Sequence, residues 1–199
     1  MFPLVETIKI LDGKPMNLRW HQNRFMTSFL LHFKKPTHFR LENLIEVPEE
    51  YGKGNVKLRF LYNEINCFCQ YSQYVQKSIK SLKPVVDNKI DYALKYVDRT
   101  NIERLLRLKK DGDDILIIKN NLVTDTSFSN IVFYDGKQWI TPNSPLLNGT
   151  ARTRLLDEGK IIEQRIFLKD IKKFQTYKLI NAMLDFETQS DLDISSILM

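Results

Sequence analysis

Short segments in which apolar and polar residues alternate make up most of this sequence, and one long helical stretch interrupts them in the first half. Alternation with period two is typical of half-buried strands. It predicts strands over Leu4–Leu11, Asn55–Tyr62 and residues 65–75. Residues 17–33 carry apolar side chains at helical spacing and predict a helix. A weaker helix is expected over residues 40–45.

In the second half of the chain, the order of predicted strands and helices differs from that in the first half. Residues 81–88 contain a proline and mixed polarity, and we interpret them as the crossing between two lobes. Beyond it, the pattern predicts helices over residues 99–110 and 149–157. It predicts strands over residues 92–97, 115–118, 122–124, 131–134, 138–141 and 161–167, and over Thr176–Ile180. We therefore expect an α+β protein with a small lobe at residues 1–85 and a larger lobe at residues 86–199.

Composition excludes several classes of protein. There is no apolar run of the roughly 20 residues that a membrane span needs, and the N-terminus lacks the features of a signal peptide, so a cytoplasmic protein is expected. Cys67 and Cys69 are the only cysteines, too few for a disulfide framework or a four-ligand zinc site. The 30 Lys and Arg against 24 Asp and Glu give a net charge of +6, which indicates an anionic partner. No nucleic-acid-binding motif or basic tail accompanies that charge.

Two cationic residues are candidates for chemistry. In the predicted strand 92–97, alternation places Lys95 on the same side as Ala93 and Val97, where its amine would be partly desolvated. A neutral amine can form a Schiff base with an aldehyde, although a lysine at a strand end can also reach water. In the helix 17–33, His21 and Arg24 share one stripe beside the apolar face. An arginine there needs an anion, either a ligand phosphate or a local carboxylate.

Two further features point to a bound anion and a protonated ring. Gly149, Thr150 and Ala151 run from a loop into a helix start, where free backbone N–H groups can form an anion site, although many helices begin this way without a ligand. Asp125 lies between apolar residues and a Ser/Thr/Asn run, so it could accept a hydrogen bond from a protonated ring nitrogen or stabilise a local turn. A lysine, two phosphate sites and a carboxylate are together what a pyridoxal 5′-phosphate (PLP) enzyme needs.

The order of these segments resembles that of the fold-type-IV PLP enzymes, which include branched-chain aminotransferase, D-amino acid aminotransferase and aminodeoxychorismate lyase. His21-x-x-Arg24-Phe25 is similar to the family's His-x-x-Arg-Leu helix, and residues 95–99 resemble the lyase version of the catalytic-lysine segment. Other matching segments, in chain order, are residues 6–8, 12–14, 113–116, 123–130, 141–142, 147–152 and 181–183. This chain departs from the family in having Asp125 for the usual Glu and Ala151 for a Thr, and in being shorter than most members.

The resemblance implies a shortened two-lobed fold and a homodimer with its active site between the lobes. It implies that Lys95 carries PLP, that Arg24 and the turn Gly149, Thr150 and Ala151 hold the phosphate, and that Asp125 binds the pyridine nitrogen. The expected substrate is a small anion, 4-amino-4-deoxychorismate, with Arg59 as a candidate contact for its carboxylate. Alternatives are an aminotransferase for branched-chain or D-amino acids and a protein that binds PLP or another small ligand without catalysis.

Overall fold

A computed structural model describes all of residues 1–199. The chain forms two compact units: unit 1 comprises residues 1–76 and 94–98, and unit 2 comprises residues 77–93 and 99–199. This division differs from the predicted boundary between residues 85 and 86 in two respects. Residues 77–85 belong to unit 2, and residues 94–98, with Lys95 among them, belong to unit 1 rather than to the C-terminal lobe.

Unit 1 is built on a four-stranded antiparallel sheet with strand order β2-β1-β3-β4. Its strands and helices are β1 (Leu4–Leu11), β2 (Lys14–Pro15), α1 (Leu18–Phe33), α2 (Leu41–Leu44), β3 (Asn55–Tyr62) and β4 (Cys67–Gln73). The predicted strands and helices of this region are confirmed, with β4 shorter at both ends than expected. Asp12 and Gly13, both with positive φ, form the turn after β1.

The two faces of this sheet differ because side chains alternate along each strand. The inner face is defined by Leu4, Glu6, Ile8 and Ile10 of β1 and Val56, Leu58, Phe60 and Tyr62 of β3, all buried. Phe25 and Phe29 of α1 pack into the same cluster. The outer face carries the intervening residues, among them Thr7, Lys9, Lys57 and Arg59, which are half-buried. The core of unit 1 therefore lies between α1 and the inner face.

Residues 94–98 join unit 1 through backbone hydrogen bonds to its first strand. The N–H of Val5 donates to the carbonyl of Lys95 at 3.0 Å, and the N–H of Val97 donates to that of Pro3 at 2.9 Å. The predicted strand over residues 92–97 is wrong. The N–H of Tyr96 donates to the carbonyl of Leu94 at 2.9 Å, and this tight turn leaves a single bridge, Leu4 to Tyr96, in place of a strand.

Unit 2 contains a three-stranded sheet, order β5-β6-β7, and a five-stranded sheet, order β10-β9-β8-β11-β12. Its elements are β5 (Leu82–Val86), α3 (Thr100–Leu106), β6 (Asp114–Lys119), β7 (Leu122–Thr126), β8 (Asn130–Tyr134), β9 (Trp139–Pro142), α4 (Thr150–Asp157), β10 (Ile162–Gln164), β11 (Thr176–Ile180) and β12 (Leu192–Asp193). Apolar residues from both sheets, among them Leu116, Ile118, Ile131 and Phe133, form one buried cluster. The predicted α+β class is confirmed.

Two predicted features of unit 2 need correction. The supposed crossing at residues 81–88 contains β5, which pairs in parallel with β6. Pro84 is compatible with that strand because β5 lies at the edge of its sheet, where the missing N–H breaks no ladder. The helix expected to reach residue 110 ends at Leu106. None of the helices has the length and apolar character that crossing a lipid bilayer requires.

Candidate functional site

A buried ionic cluster lies under the inner face of unit 1. Glu6 is the one charged residue on the inner face of β1, and it is fully buried. His21 and Arg24 reach it from α1, where their spacing of three residues puts them on one stripe. The Arg24 Nε and Nη2 groups donate to the two oxygens of the Glu6 carboxylate at 2.8 and 2.5 Å, and His21 Nδ1 lies 2.7 Å from Glu6 Oε2. Of the two anions considered for Arg24, the structure therefore contains the local carboxylate.

The protonation states in this cluster follow from its geometry. Burial by itself raises the pKa of Glu6, but the Arg24 charge and the hydrogen bonds from His21 and Arg24 outweigh it and hold the pKa at about 2. Burial lowers the pKa of His21, so its ring is neutral. Because the ionised Glu6 can only accept, the His21 proton is on Nδ1. His21 Nε2 is therefore unprotonated, and it is a buried acceptor without a hydrogen-bond partner.

The pairing with Glu6 does not use all the donors of Arg24. A guanidinium has five N–H groups. The N–H groups of Nη1 and one N–H of Nη2 take no part in the two bonds to Glu6. The Arg24 side chain is 12% exposed. A bidentate pair also fixes the plane of the guanidinium. Arg24 can thus donate to a second anion, such as a phosphate, without leaving Glu6.

Lys95 and Arg59 belong to unit 1 as well. The Lys95 backbone is held beside Val5, one residue from Glu6, and the side chain is half-buried. Arg59 lies on the outer face, directly opposite Thr7 in the strand register, and its Nη1 donates to Gln70 Oε1 at 3.1 Å. The structure therefore places Arg59 on the other face of the sheet from Glu6.

In unit 2, Asp125 is enclosed by donors from three residues. Its Oδ2 accepts from the backbone N–H groups of Leu146 and Leu147, each at 2.9 Å, and its Oδ1 accepts from Asn130 Nδ2 at 2.7 Å. Burial raises the pKa of the carboxyl to about 6, against the lowering effect of these hydrogen bonds. A carboxylate has about four lone-pair sites. Oδ1 thus keeps room for one more donor, such as a ring N–H.

Asn130 joins this carboxylate to the turn that precedes α4. Its Nδ2 also donates to the carbonyl of Leu147 at 2.9 Å. A Cβ placed on Gly149 would lie 2.0 Å from Asn130 Oδ1, so only glycine allows this approach. Asp125, Asn130 and Gly149 therefore form one packed arrangement at the start of α4.

The start of α4 has the properties of an anion site. Gly149 is the N-cap residue and has no side chain to occupy the first N–H groups of the helix. Thr150 and Ala151, the first two helical residues, are buried. The dipole of the helix adds a partial positive charge at this end. Replacement of the family's threonine by Ala151 removes a hydroxyl, but it leaves these backbone donors in place.

The residues of each unit fit PLP by their chemistry. In unit 1, Lys95 supplies an amine and Arg24 supplies free N–H groups. In unit 2, the turn at Gly149 supplies uncapped backbone donors and Asp125 supplies a buried acceptor. Two residues, Glu6 and Asn130, were not predicted as part of the site. The signal for Glu6 was present in the sequence, since a carboxylate interrupts an otherwise apolar inner face; the role of Asn130 depends on the three-dimensional path of the turn.

Comparison with known proteins finds a family model and a relative that each match most of the chain. The family model described as amino-transferase class IV matches residues 3–186. An uncharacterized protein of Haemophilus influenzae is 42% identical over 185 residues, which cover 92% of this chain and 98% of that protein.

Two solved structures are also similar. A provisionally named 4-amino-4-deoxychorismate lyase from Haemophilus somnus has a TM-score of 0.87 and 39% identity, covering 92% of this chain and 97% of its own. A PLP-bound hypothetical aminotransferase from Mycobacterium tuberculosis has a TM-score of 0.75 and 16% identity, covering 92% of this chain and 78% of its own. The latter similarity concerns the fold alone.

Proposed function

Because the chain belongs to the class IV aminotransferase family of PLP-dependent enzymes, we propose that it is a PLP-dependent lyase that converts 4-amino-4-deoxychorismate into 4-aminobenzoate and pyruvate, a step that supplies a folate precursor. The observation that carries the choice of reaction is the 39% identity to the provisionally named lyase of Haemophilus somnus, which extends over nearly the full length of both chains. Residues 95–99, which resemble the lyase form of the lysine segment, support the same choice.

Each residue has a separate part in this proposal. When bound, PLP supplies an aldehyde that condenses with amines and a ring that draws electrons from the neighbouring carbon. Lys95 would hold the cofactor through its Nζ. When the substrate amine is bound in its place, Lys95 Nζ would act as a general base and take the proton from the substrate carbon that bears the nitrogen. It would then give that proton to the departing enolpyruvyl group, which leaves as pyruvate.

The remaining residues bind and orient. Arg24, held in plane by Glu6, and the uncapped N–H groups at Gly149, Thr150 and Ala151 bind the phosphate. Asp125 would accept a hydrogen bond from the protonated pyridine nitrogen and stabilise its positive charge, which would keep the ring able to accept electrons. The family resemblance further leads us to infer a homodimer, which sedimentation of the purified protein tests directly.

The lyase proposal is tested by pyruvate release. Purified protein supplied with PLP is incubated with 4-amino-4-deoxychorismate, and pyruvate is measured by coupling to lactate dehydrogenase. Lys95→Ala should abolish release, whereas Lys137→Ala, which removes an exposed lysine from the turn between β8 and β9, should not change it. Absence of pyruvate from the wild-type protein contradicts the lyase assignment.

A second reaction is supported by the family itself, because the matching family model is described as amino-transferase class IV. It would transfer the amino group of a small amino acid to a keto acid, with Lys95 again serving as the general base. Branched-chain and D-amino acids are therefore tested with 2-oxoglutarate in the same preparation. Turnover of such a pair without pyruvate release would select the aminotransferase, and PLP uptake without either reaction would select a non-catalytic binding protein.

A further inference from the structure

The outer face of the unit 1 sheet carries four cations and no acidic residue. Lys14, opposite Leu11 on the edge strand β2, is exposed, and the other three lie on the central strands. Lys9 lies on β1, and Lys57 and Arg59 lie on β3, with Lys9 directly opposite Lys57 and Thr7 directly opposite Arg59. The other outer-face residues of β1, β3 and β4 are all uncharged, namely Val5, Leu11, Asn55, Leu61, Phe68, Gln70 and Ser72. We refer to Lys9, Lys57 and Arg59 as the cationic row.

The cationic row is electrostatically unbalanced. None of its members takes part in an ion pair of the structure. Arg59 is bonded only to the neutral amide of Gln70. Like charges directly opposite each other on neighbouring strands are destabilising, and all three side chains are half-buried, where water screens them less well. An arrangement of this kind favours a bound anion.

The dimensions of the row match a small molecule with two negative groups. Lys57 and Arg59 are two residues apart on one strand, about 6.7 Å along its axis, and Lys9 lies across from Lys57 at about 5 Å between Cβ atoms. Arginine can bind a carboxylate with two parallel hydrogen bonds, and the two lysines can hold a second carboxylate as point charges. The side chain of a branched-chain amino acid would find no complementary charge among these residues.

The row also lies close in the fold to the residue proposed to carry the cofactor. Val5, whose N–H donates to the Lys95 carbonyl, is two residues before Thr7 and four before Lys9 on β1. We propose that the cationic row binds the carboxylates of a dicarboxylate substrate and selects it over monocarboxylates. This inference rests on the proposed function, because it assigns the substrate class of the same enzyme.

Binding is measured by isothermal titration calorimetry on the full-length protein supplied with PLP. The probes are benzene-1,3-dicarboxylate and benzoate, which share a ring and differ by one carboxylate. We expect the dicarboxylate to bind at least tenfold more tightly than benzoate. Arg59→Gln and Lys57→Gln should each weaken dicarboxylate binding about tenfold and leave benzoate binding within threefold. Lys137→Gln, which removes the same charge from an exposed turn of unit 2, should change neither.

Further variants and outcomes keep this inference separate from the proposed function. Arg59→Lys retains the charge but not the planar fork, so it should lose less affinity than Arg59→Gln. Urea unfolding confirms that each variant is folded. Equal binding of the two probes, or equal effects of Lys57→Gln and Lys137→Gln, would overturn the inference even if pyruvate is released. Selective dicarboxylate binding in a protein that releases no pyruvate would support the inference and contradict the lyase.

Discussion

The most informative perturbation of unit 1 is Glu6→Gln, which removes the charge that Arg24 and His21 share. Gln keeps the size of the side chain but presents an amide N–H₂ to groups that are themselves donors. The pKa of Glu6 falls from 4.5 to about 2 on folding. Since one pKa unit corresponds to about 1.4 kcal/mol, the ionised carboxylate contributes about 3 kcal/mol at pH 7. Breaking a buried pair by removing one partner costs a similar amount, about 3–5 kcal/mol.

The pH dependence has a definite sign. Because folding lowers the pKa of Glu6, its contribution is complete above pH 4.5 and is lost as the pH falls towards 2. Wild-type protein should therefore lose about 3 kcal/mol of unfolding free energy from this group over that interval. The unfolding free energy of Glu6→Gln should be about 3 kcal/mol lower than that of the wild type at pH 7. It should not show this loss as the pH falls towards 2.

Urea unfolding monitored by tryptophan fluorescence can follow unit 1 by itself. Trp20 lies on α1 in unit 1 and Trp139 on β9 in unit 2. In a Trp139→Phe background, the emission of Trp20 reports the unit that contains Glu6. Glu50→Gln, which removes an exposed carboxylate from the same unit, is the matched control. A loss below about 1 kcal/mol in Glu6→Gln, or a loss equal to that in the control, would mean that Glu6 does not stabilise unit 1 through its pairing with Arg24.

Further predictions concern unit 2. Gly149→Ala should lower the unfolding free energy by about 2 kcal/mol or more, because the new Cβ would lie 2.0 Å from Asn130 Oδ1; an unchanged urea midpoint would contradict this. PLP affinity, measured by quenching of protein fluorescence between pH 5 and 8, should fall below about pH 6 as Asp125 protonates, and Asp125→Asn should remove that step. Asp114 is buried, and burial raises its pKa against the lowering effect of the nearby Ser127 and Thr126 hydroxyls. Asp114→Asn should therefore stabilise the protein at pH 7 but not at pH 3, and equal effects at both values would count against this assignment.

Much of unit 1 could be predicted because local patterns agree with its tertiary structure. The alternation in β1 and β3 and the helical spacing in α1 each match the face that is buried. The same alternation also marks Glu6 as a buried carboxylate. Where local pattern and tertiary context disagree, the prediction was wrong: Pro84 was interpreted as part of a connection, although an edge strand accepts it.

The site was predicted only in part for a related reason. Residue chemistry and local pattern identified Lys95, Arg24, Asp125 and the turn at Gly149 as candidates, motif order linked them to a family, and their roles toward PLP stay predictions. Contacts that join distant positions could not be obtained from one sequence. The Asn130 amide reaches Asp125 and Leu147 only after β8 and the turn before α4 have packed together. The tight turn at Leu94 and Tyr96 likewise depends on pairing with β1 and has no sequence signal.

Reductive trapping shows whether Lys95 carries PLP, as proposed. Purified protein is supplied with PLP, reduced with borohydride, digested and mapped by mass spectrometry. We expect an absorbance band above 400 nm that borohydride abolishes, on the order of one pyridoxyl group per chain, and that group on Lys95. A pyridoxyl group on other lysines, or a protein that takes up no PLP, would contradict it.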